Sequence, residues 1–233
     1  GFATVYSGDF FPDKKNGYAE SIQSLFYKKS QQEALDYEWG CLATWSWGLS
    51  RCMDYFETDD DIDHQKVAVI GHSRRGKAAL WAGATDERFA LTISNNSGCG
   101  GAAISRREFG ETVKRIDDNF PHWFCENFGG FKNEITNMPV DQHMLIALMA
   151  PRPVYVASGK LDEWADPKGE FLGALNASPV YNLFGLKGLP SDTMPKVDNP
   201  VKDGTIGYHV RTGGHGLKLY DWNQYIDFAD LHL

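Results

Sequence analysis

Cysteine is scarce in this chain, and the scarcity narrows its chemistry. Four cysteines, Cys41, Cys52, Cys99 and Cys125, are scattered too widely for a disulfide scaffold or a cysteine-based metal site. Residues 32–55 read as one helix, on which Cys41 and Cys52 would stand about 16 Å apart along the axis, beyond disulfide reach. Cys99 and Cys125 could pair only after folding, and buried free thiols are the preferred reading. Cationic residues are also in the minority: 23 Lys and Arg stand against 31 Asp and Glu, a net charge of −8, with no basic cluster to follow a nucleic acid. No apolar run approaches the ~20 residues that a membrane span needs. The first residues, Gly1 to Tyr6, lack the basic and apolar pattern of a secretory signal, so localisation cannot be read from the chain ends. His122 and His143 have no Cys or His partner at metal-ligand spacing. The acidic run 57–63 lacks the central glycine and terminal glutamate of a calcium loop. No metal and no cofactor are therefore expected.

What remains is an ordinary soluble composition, 42% apolar and 23% charged, over 233 residues. That length suits one domain with a sizeable core. Its most informative stretch is a β-branched run, Val67-Ala-Val-Ile70, that breaks at Gly71 and restarts at once as a small-residue helix. Ser73 stands on the break. A tight strand-to-helix turn that lifts a serine hydroxyl above a sheet edge, beside a helix N-terminus, is the nucleophile elbow of α/β-hydrolases. The generic pattern places glycine two residues after the serine, where this chain has Arg75, with Gly76 one place later. A serine that merely caps a helix is the plain alternative. Against it stand two later sites in the right order. Asp162 follows the strand-like run 153–158 and His215 follows the run 205–211, giving Ser, Asp, His. Glu163 and Asp166 compete with Asp162 for the acid. His209 competes with His215 for the base, although its place inside a strand suits a hydrogen-bonded core residue better than a catalytic one.

Organisation along the chain supports the same fold class. A short strand is expected at 2–6, then a Gly-, Asp- and Pro-rich loop to Gly17, the aromatic helix 32–55, and the elbow strand and helix through Ala84. Further strands are expected at 89–94, 153–158 and 205–211. Helices are expected at 141–149, after Pro167, and from the His215 loop through Leu231. The alternation predicts a mainly parallel sheet with helices on both faces. It gives only about five strands, and 64 residues precede the elbow run that opens at Gln65. Residues 1–233 therefore read as one α/β-hydrolase domain that lacks N-terminal strands, the C-terminal portion of a fuller catalytic domain. The missing N-terminal part of that domain is a possible partner, and the loop that supplies the second backbone oxyanion donor is not recognisable.

Arg74 and Lys77 place two cations on the elbow and its first helical turn, an environment that favours an anion or a strongly polar acyl group. With these neighbours the chain resembles the glucuronoyl esterases, carbohydrate esterase family 15, especially the bacterial branch. The segments that carry the resemblance are 71–84 (Gly-His-Ser-Arg-Arg-Gly-Lys at its start), 93–102, 110–113, 120–124 (Phe-Pro-His-Trp-Phe), 150–157, 162–167 (Asp-Glu-Trp-Ala-Asp-Pro) and His215. The resemblance implies Ser73 as nucleophile, His215 as general base, Arg74 as an oxyanion-assisting guanidinium, and Lys77, Glu111 and Trp164 as contacts to a glucuronoyl sugar. Fungal members place their triad glutamate where this chain has Asn96, which moves the acid role to Asp162. They also carry a disulfide-forming cysteine where this chain has His72.

The expected activity is thus a serine carboxylic-ester hydrolase. It would cleave glucuronoyl or 4-O-methylglucuronoyl esters that link glucuronoxylan to lignin alcohols, without a cofactor, in a secreted or periplasmic setting. The alternatives are another hydrolase of this fold, of acetyl xylan or feruloyl type, and a catalytically silent carbohydrate-binding relative.

Overall fold

The computed structural model describes residues 1–28, 30–31 and 34–233. Its helices and strands run α1 (Cys41–Phe56), β1 (Ala68–His72), α2 (Arg74–Thr85), β2 (Leu91–Asn95), α3 (Val113–Asn119), α4 (Glu126–Gly129), α5 (Gln142–Ala147), β3 (Val154–Gly159), α6 (Pro167–Leu183), β4 (Ile206–Arg211) and α7 (Leu219–His232). The four strands form one parallel sheet in sequential order, with Ile70 opposite Ile93, Ile93 opposite Tyr155, and Tyr155 opposite Gly207.

Strand parity decides which helix each side chain meets, since alternate residues point to opposite faces. Val154, Val156, Ile206, Tyr208 and Val210 form one core with Phe171, Ala174 and Tyr181 of α6 and Leu80 of α2. Leu91, Ile93, Tyr155 and Ala157 form another with Tyr225 and Phe228 of α7. On β1, Val69 packs with Met53 of α1 and with Ala79 and Ala82 of α2. β2, β3 and β4 are buried at every residue, as befits strands covered on both faces, whereas β1 alternates. Among the described residues, no helix is long and apolar enough to cross a membrane.

Two expectations need correction. Residues 2–6 form no strand, so the sheet has four strands among the described residues, not five. An apolar β-branched run forms a strand only where a partner edge receives it, and Phe2, Val5 and Tyr6 lie exposed. The aromatic helix begins at Cys41, since Gly40 interrupts it and residues 34–40 are irregular. Gln32 and Glu33, its expected start, lie outside the described residues. The four cysteines are all free.

Candidate active site

One residue separates β1 from α2, and it is Ser73, with φ 59° and ψ −131°. A non-glycine residue held in that region stores roughly 1–3 kcal/mol, which the surroundings must over-determine. They do. The Ser73 N–H donates to Asn95 O at 2.8 Å, and Ser73 O accepts from the N–H groups of Gly76 at 2.8 Å and Lys77 at 3.3 Å. A Cβ at Gly71 would collide with the Arg75 carbonyl, and one at Gly76 would meet Ser97 Cβ at 3.0 Å. Gly71 thus admits the Arg75 backbone, and Gly76 admits the side chains of Ser94 and Ser97. The Arg75 guanidinium instead lies over the Trp45 ring at 3.8 Å, which accounts for the departure from the generic elbow pattern.

The acid and histidine arrive on the loops that follow β3 and β4. Asp162 is 5% exposed, and its Oδ2 lies 2.6 Å from His215 Nδ1. The same oxygen accepts from Asn96 Nδ2 at 2.6 Å. Burial alone would raise the Asp162 carboxyl, but the hydrogen bonds from His215 and Asn96 hold it below its ordinary value. That hydrogen bond in turn raises His215, outweighing the opposing effect of burial. With Nδ1–H donated to the carboxylate, Nε2 is left as the basic nitrogen. The His215 loop is held from below by Arg211, whose guanidinium donates to Thr212 O at 3.0 Å, Gly214 O at 3.1 Å and Gly216 O. The His72 ring lies 4.5 Å from the His215 ring. Asn95 holds His72, with Nδ1 2.6 Å from Asn95 Oδ1, while Asn95 Nδ2 donates to Tyr225 OH at 2.7 Å.

The rivals have other partners. Asp166 caps α6 from the left-handed region, and its carboxylate accepts from Arg107 Nε at 2.7 Å. Glu163 is exposed. His209 is fully buried between Asp221, at 2.9 Å from Nε2, and Tyr155 OH, at 3.0 Å from Nδ1. Asp221 also accepts from Arg211 Nε at 2.8 Å, so this second histidine–aspartate pair braces the strand that delivers the His215 loop.

Ser73, Arg74, Lys77, Glu111, Asp162, Trp164 and His215 all line one cavity of about 360 Å³. Size is not what marks it. A hollow of about 1070 Å³ beside α1 and α5 is larger and mostly apolar, but it contains none of the Ser73, His215 and Asp162 set. Within the smaller cavity Lys77 is 3% exposed. Its ammonium donates to Ser97 O at 2.6 Å, to Cys99 O and to Glu111 Oε2 at 2.5 Å. Three partners exhaust its three N–H groups. Lys77 therefore fixes Glu111 and the 97–99 loop, and all three of its N–H groups have partners within the chain. Trp164 is 46% exposed, with the Arg115 guanidinium 5.2 Å from its ring centre.

Several residues here escaped sequence reasoning. Phe120 and Trp123 line the cavity, with their rings stacked at 4.0 Å. Glu170, fully buried on α6, accepts from Ser97 N at 2.6 Å, Gly98 N at 3.1 Å and Ser158 Oγ at 2.6 Å. Burial pushes its carboxyl up to about 7 despite those bonds. Asp13, Cys41 and His122 bring potential metal-ligand atoms within 4.8 Å of one another. Asp13, however, already accepts from Arg74 at 2.8 Å, with Arg75 at 3.5 Å, and two guanidiniums oppose a dication there. No sequence spacing could have signalled this cluster, whose members are scattered along the chain.

Comparison with known proteins identifies the family. The family described as "Glucuronyl esterase, fungi" matches residues 14–185. The carbohydrate esterase MZ0003 of an unknown prokaryotic organism is 56% identical over 233 residues, covering all of this chain and 54% of that protein. The 4-O-methyl-glucuronoyl methylesterase 1 of Wolfiporia cocos is 36% identical over 191 residues, covering 78% of this chain and 46% of that protein. Among solved structures, a glucuronoyl esterase from Solibacter usitatus superposes with a TM-score of 0.94 at 52% identity, covering 98% of this chain and 58% of that one. The chain thus spans about half the length of the relatives it matches, and its sheet and helices are those of an α/β-hydrolase. By sequence and by structure, this chain belongs to the glucuronoyl esterase family.

Proposed function

We propose that the chain carries the catalytic machinery of a serine esterase acting on glucuronoyl or 4-O-methylglucuronoyl esters. The observation that carries the reading is the single cavity into which Ser73, the His215–Asp162 pair, Arg74 and the Glu111–Trp164 wall all converge. His215 Nε2 takes the Ser73 proton as Oγ attacks the ester carbonyl, and Asp162 stabilises the imidazolium that forms. The oxyanion develops beside the N-terminus of α2, where backbone N–H groups lack helical partners and Arg74 adds a cation. His215 then returns its proton to the departing alcohol. Water, deprotonated by the same nitrogen, releases the uronate and regenerates the serine.

Substrate class follows from the acyl side. Glu111, immobilised by Lys77, is a fixed acceptor for a ring hydroxyl, and Trp164 offers an aromatic surface against the apolar side of a pyranose. An acetyl esterase has little use for such a wall. The natural ester is taken to join xylan glucuronate to a lignin alcohol, a substrate that places the enzyme outside the cytoplasm. Two proteins named as 4-O-methyl-glucuronoyl methylesterases, from Wolfiporia cocos and Phanerochaete carnosa, support this reading.

The test is hydrolysis of benzyl glucuronate beside an acetyl ester of similar size, with Ser73→Ala as control. Strong preference for the uronate, abolished in the variant, is expected. Equal rates on both esters would remove the uronate reading, and full activity in Ser73→Ala would remove the esterase.

A further inference from the structure

The oxyanion arginine has a support that lies some sixty residues before it in the chain. Among the described residues, Asp13 is the sole hydrogen-bond acceptor of the Arg74 guanidinium, at 2.8 Å from Nη1 to Oδ2. The other carboxylate oxygen, Oδ1, accepts from Trp123 Nε1 at 3.0 Å and lies 3.0 Å from His122 Nε2. The guanidinium lies over the same Trp123 ring, 4.7 Å from its centre, and 5.2 Å from that of Phe120. One carboxylate thus grips both the cation and the aromatic wall on which it rests. Its own loop is anchored, because the buried Trp45 donates its indole N–H to Phe11 O at 2.9 Å and Phe11 is itself buried.

We propose that Asp13 is a positioning residue for ester hydrolysis, holding Arg74 and Trp123 in the arrangement that faces the oxyanion site. This rests on the esterase reading above. The physical case is one of pre-organisation. An arginine side chain carries ~2 kcal/mol of rotamer entropy, and an oxyanion donor is effective only when already aimed at the position where charge develops. Arg74 is partly exposed, with a side-chain accessibility of 36%. Without Asp13, water and the neighbouring Arg75 would compete to disperse it.

The same contacts set the charge state of the carboxylate. Burial alone would raise the Asp13 carboxyl, yet hydrogen bonds from His122, Trp123 and Arg74 hold it well below the ordinary carboxylate range.

Asp13→Asn separates the two grips. An amide oxygen at the Oδ1 position keeps the Trp123 bond and turns the NH2 group toward Arg74. Flipping the amide would instead set NH2 against the Trp123 N–H. The variant is expected to lower kcat on benzyl glucuronate by about ten- to fiftyfold at nearly constant KM, since removal of a whole oxyanion donor costs ~10²–10³. Combined with Arg74→Ala it should add nothing to the loss from Arg74→Ala alone, whereas a merely structural Asp13 would multiply it. Asp13→Ala, with its melting temperature recorded, provides the same comparison should the amide variant fold poorly. Carbon-13 NMR titration of Asp13 gives a readout that needs no turnover: the carboxyl should move upward in Arg74→Met. A kcat within twofold of wild type in a folded Asp13 variant, multiplicative losses, or an unmoved Asp13 titration overturns the proposal. Absence of wild-type turnover would instead sink the esterase reading and leave the titration to decide the pairing.

Discussion

Replacing Asp162 by asparagine tests the acid assignment, and the structure fixes how large the effect should be. Oδ2 accepts from both His215 Nδ1 and Asn96 Nδ2 at 2.6 Å, whereas among the described residues Oδ1 accepts only from Ala165 N, at 3.4 Å. An asparagine amide can therefore place its oxygen at the Oδ2 position, keep both short bonds and lose only the long one. The histidine tautomer survives, so the ~10⁴-fold loss associated with a wrong tautomer does not apply. What disappears is the charge. For charge centres ~4 Å apart, attraction is roughly 1 kcal/mol in water and roughly 4 kcal/mol at an effective dielectric near 20. Asp162 is buried and His215 is 45% exposed, which places the pair in the upper part of that range. Loss of roughly 2–4 kcal/mol of imidazolium stabilisation corresponds to about 30- to 1000-fold in kcat. The pH profile supplies a second reading. The Asp162 hydrogen bond raises His215 against burial, so removing the charge lowers that pKa. Activity requires neutral His215, and the acid limb must therefore move to lower pH. Initial rates on benzyl glucuronate between pH 4 and 9, roughly the span of an imidazole titration, provide both quantities. A loss below fivefold, or an acid limb that stays in place, would refute the assignment.

Three further expectations follow from buried groups around the cavity. Asp166→Asn should leave the acid limb unmoved and reduce kcat by less than about threefold, because its partner is Arg107 rather than His215; a shifted limb would make it the acid. Lys77→Met should lower the melting temperature substantially, since breaking a buried ion pair costs roughly 3–5 kcal/mol and here strands Glu111 and two carbonyls, whereas Trp164→Ala should leave it nearly unchanged and raise KM for the uronate ester. An unchanged melting temperature in Lys77→Met would show that the ammonium is not structural. Glu170 makes stability depend on pH: its folded value, about 7, lies above the ordinary 4.5, so the folded state binds more protons between these values and stability falls as pH rises through that window. Glu170→Gln mimics the protonated form, donating to Ser158 Oγ, and should flatten the melting temperature between pH 4.5 and 7; a slope equal to that of wild type would place the dependence elsewhere.

How much was legible in the sequence follows from where each signal resides. The four strands were readable because each is a short apolar run bounded by turn residues, and the elbow was readable because strand, serine and helix are contiguous. The strand expected at 2–6 shows the limit of such reading. Its residues have β-propensity, but pairing is a tertiary event, and no described edge receives them. The helix expected from residue 32 shows another, since apolar content extended the pattern past Gly40, where the backbone leaves the helix.

The same distinction governs the site. Ser73, Asp162 and His215 stand within four residues of the ends of β1, β3 and β4, so chain order alone brings them to one sheet edge. Asp13, Trp123 and Glu170 act through contacts spanning 61, 110 and 73 residues, and nothing local distinguishes them from a solvated aspartate, a core tryptophan or an ordinary helical glutamate. Lys77 is the instructive intermediate. Its place on the elbow helix correctly located it in the cavity, but only the three acceptors around its ammonium reveal that it secures Glu111 and the 97–99 loop. Position along the chain therefore carries the proposed reacting groups, while hydrogen-bond saturation, which no spacing encodes, separates a residue with a free donor from one that holds its neighbour in place.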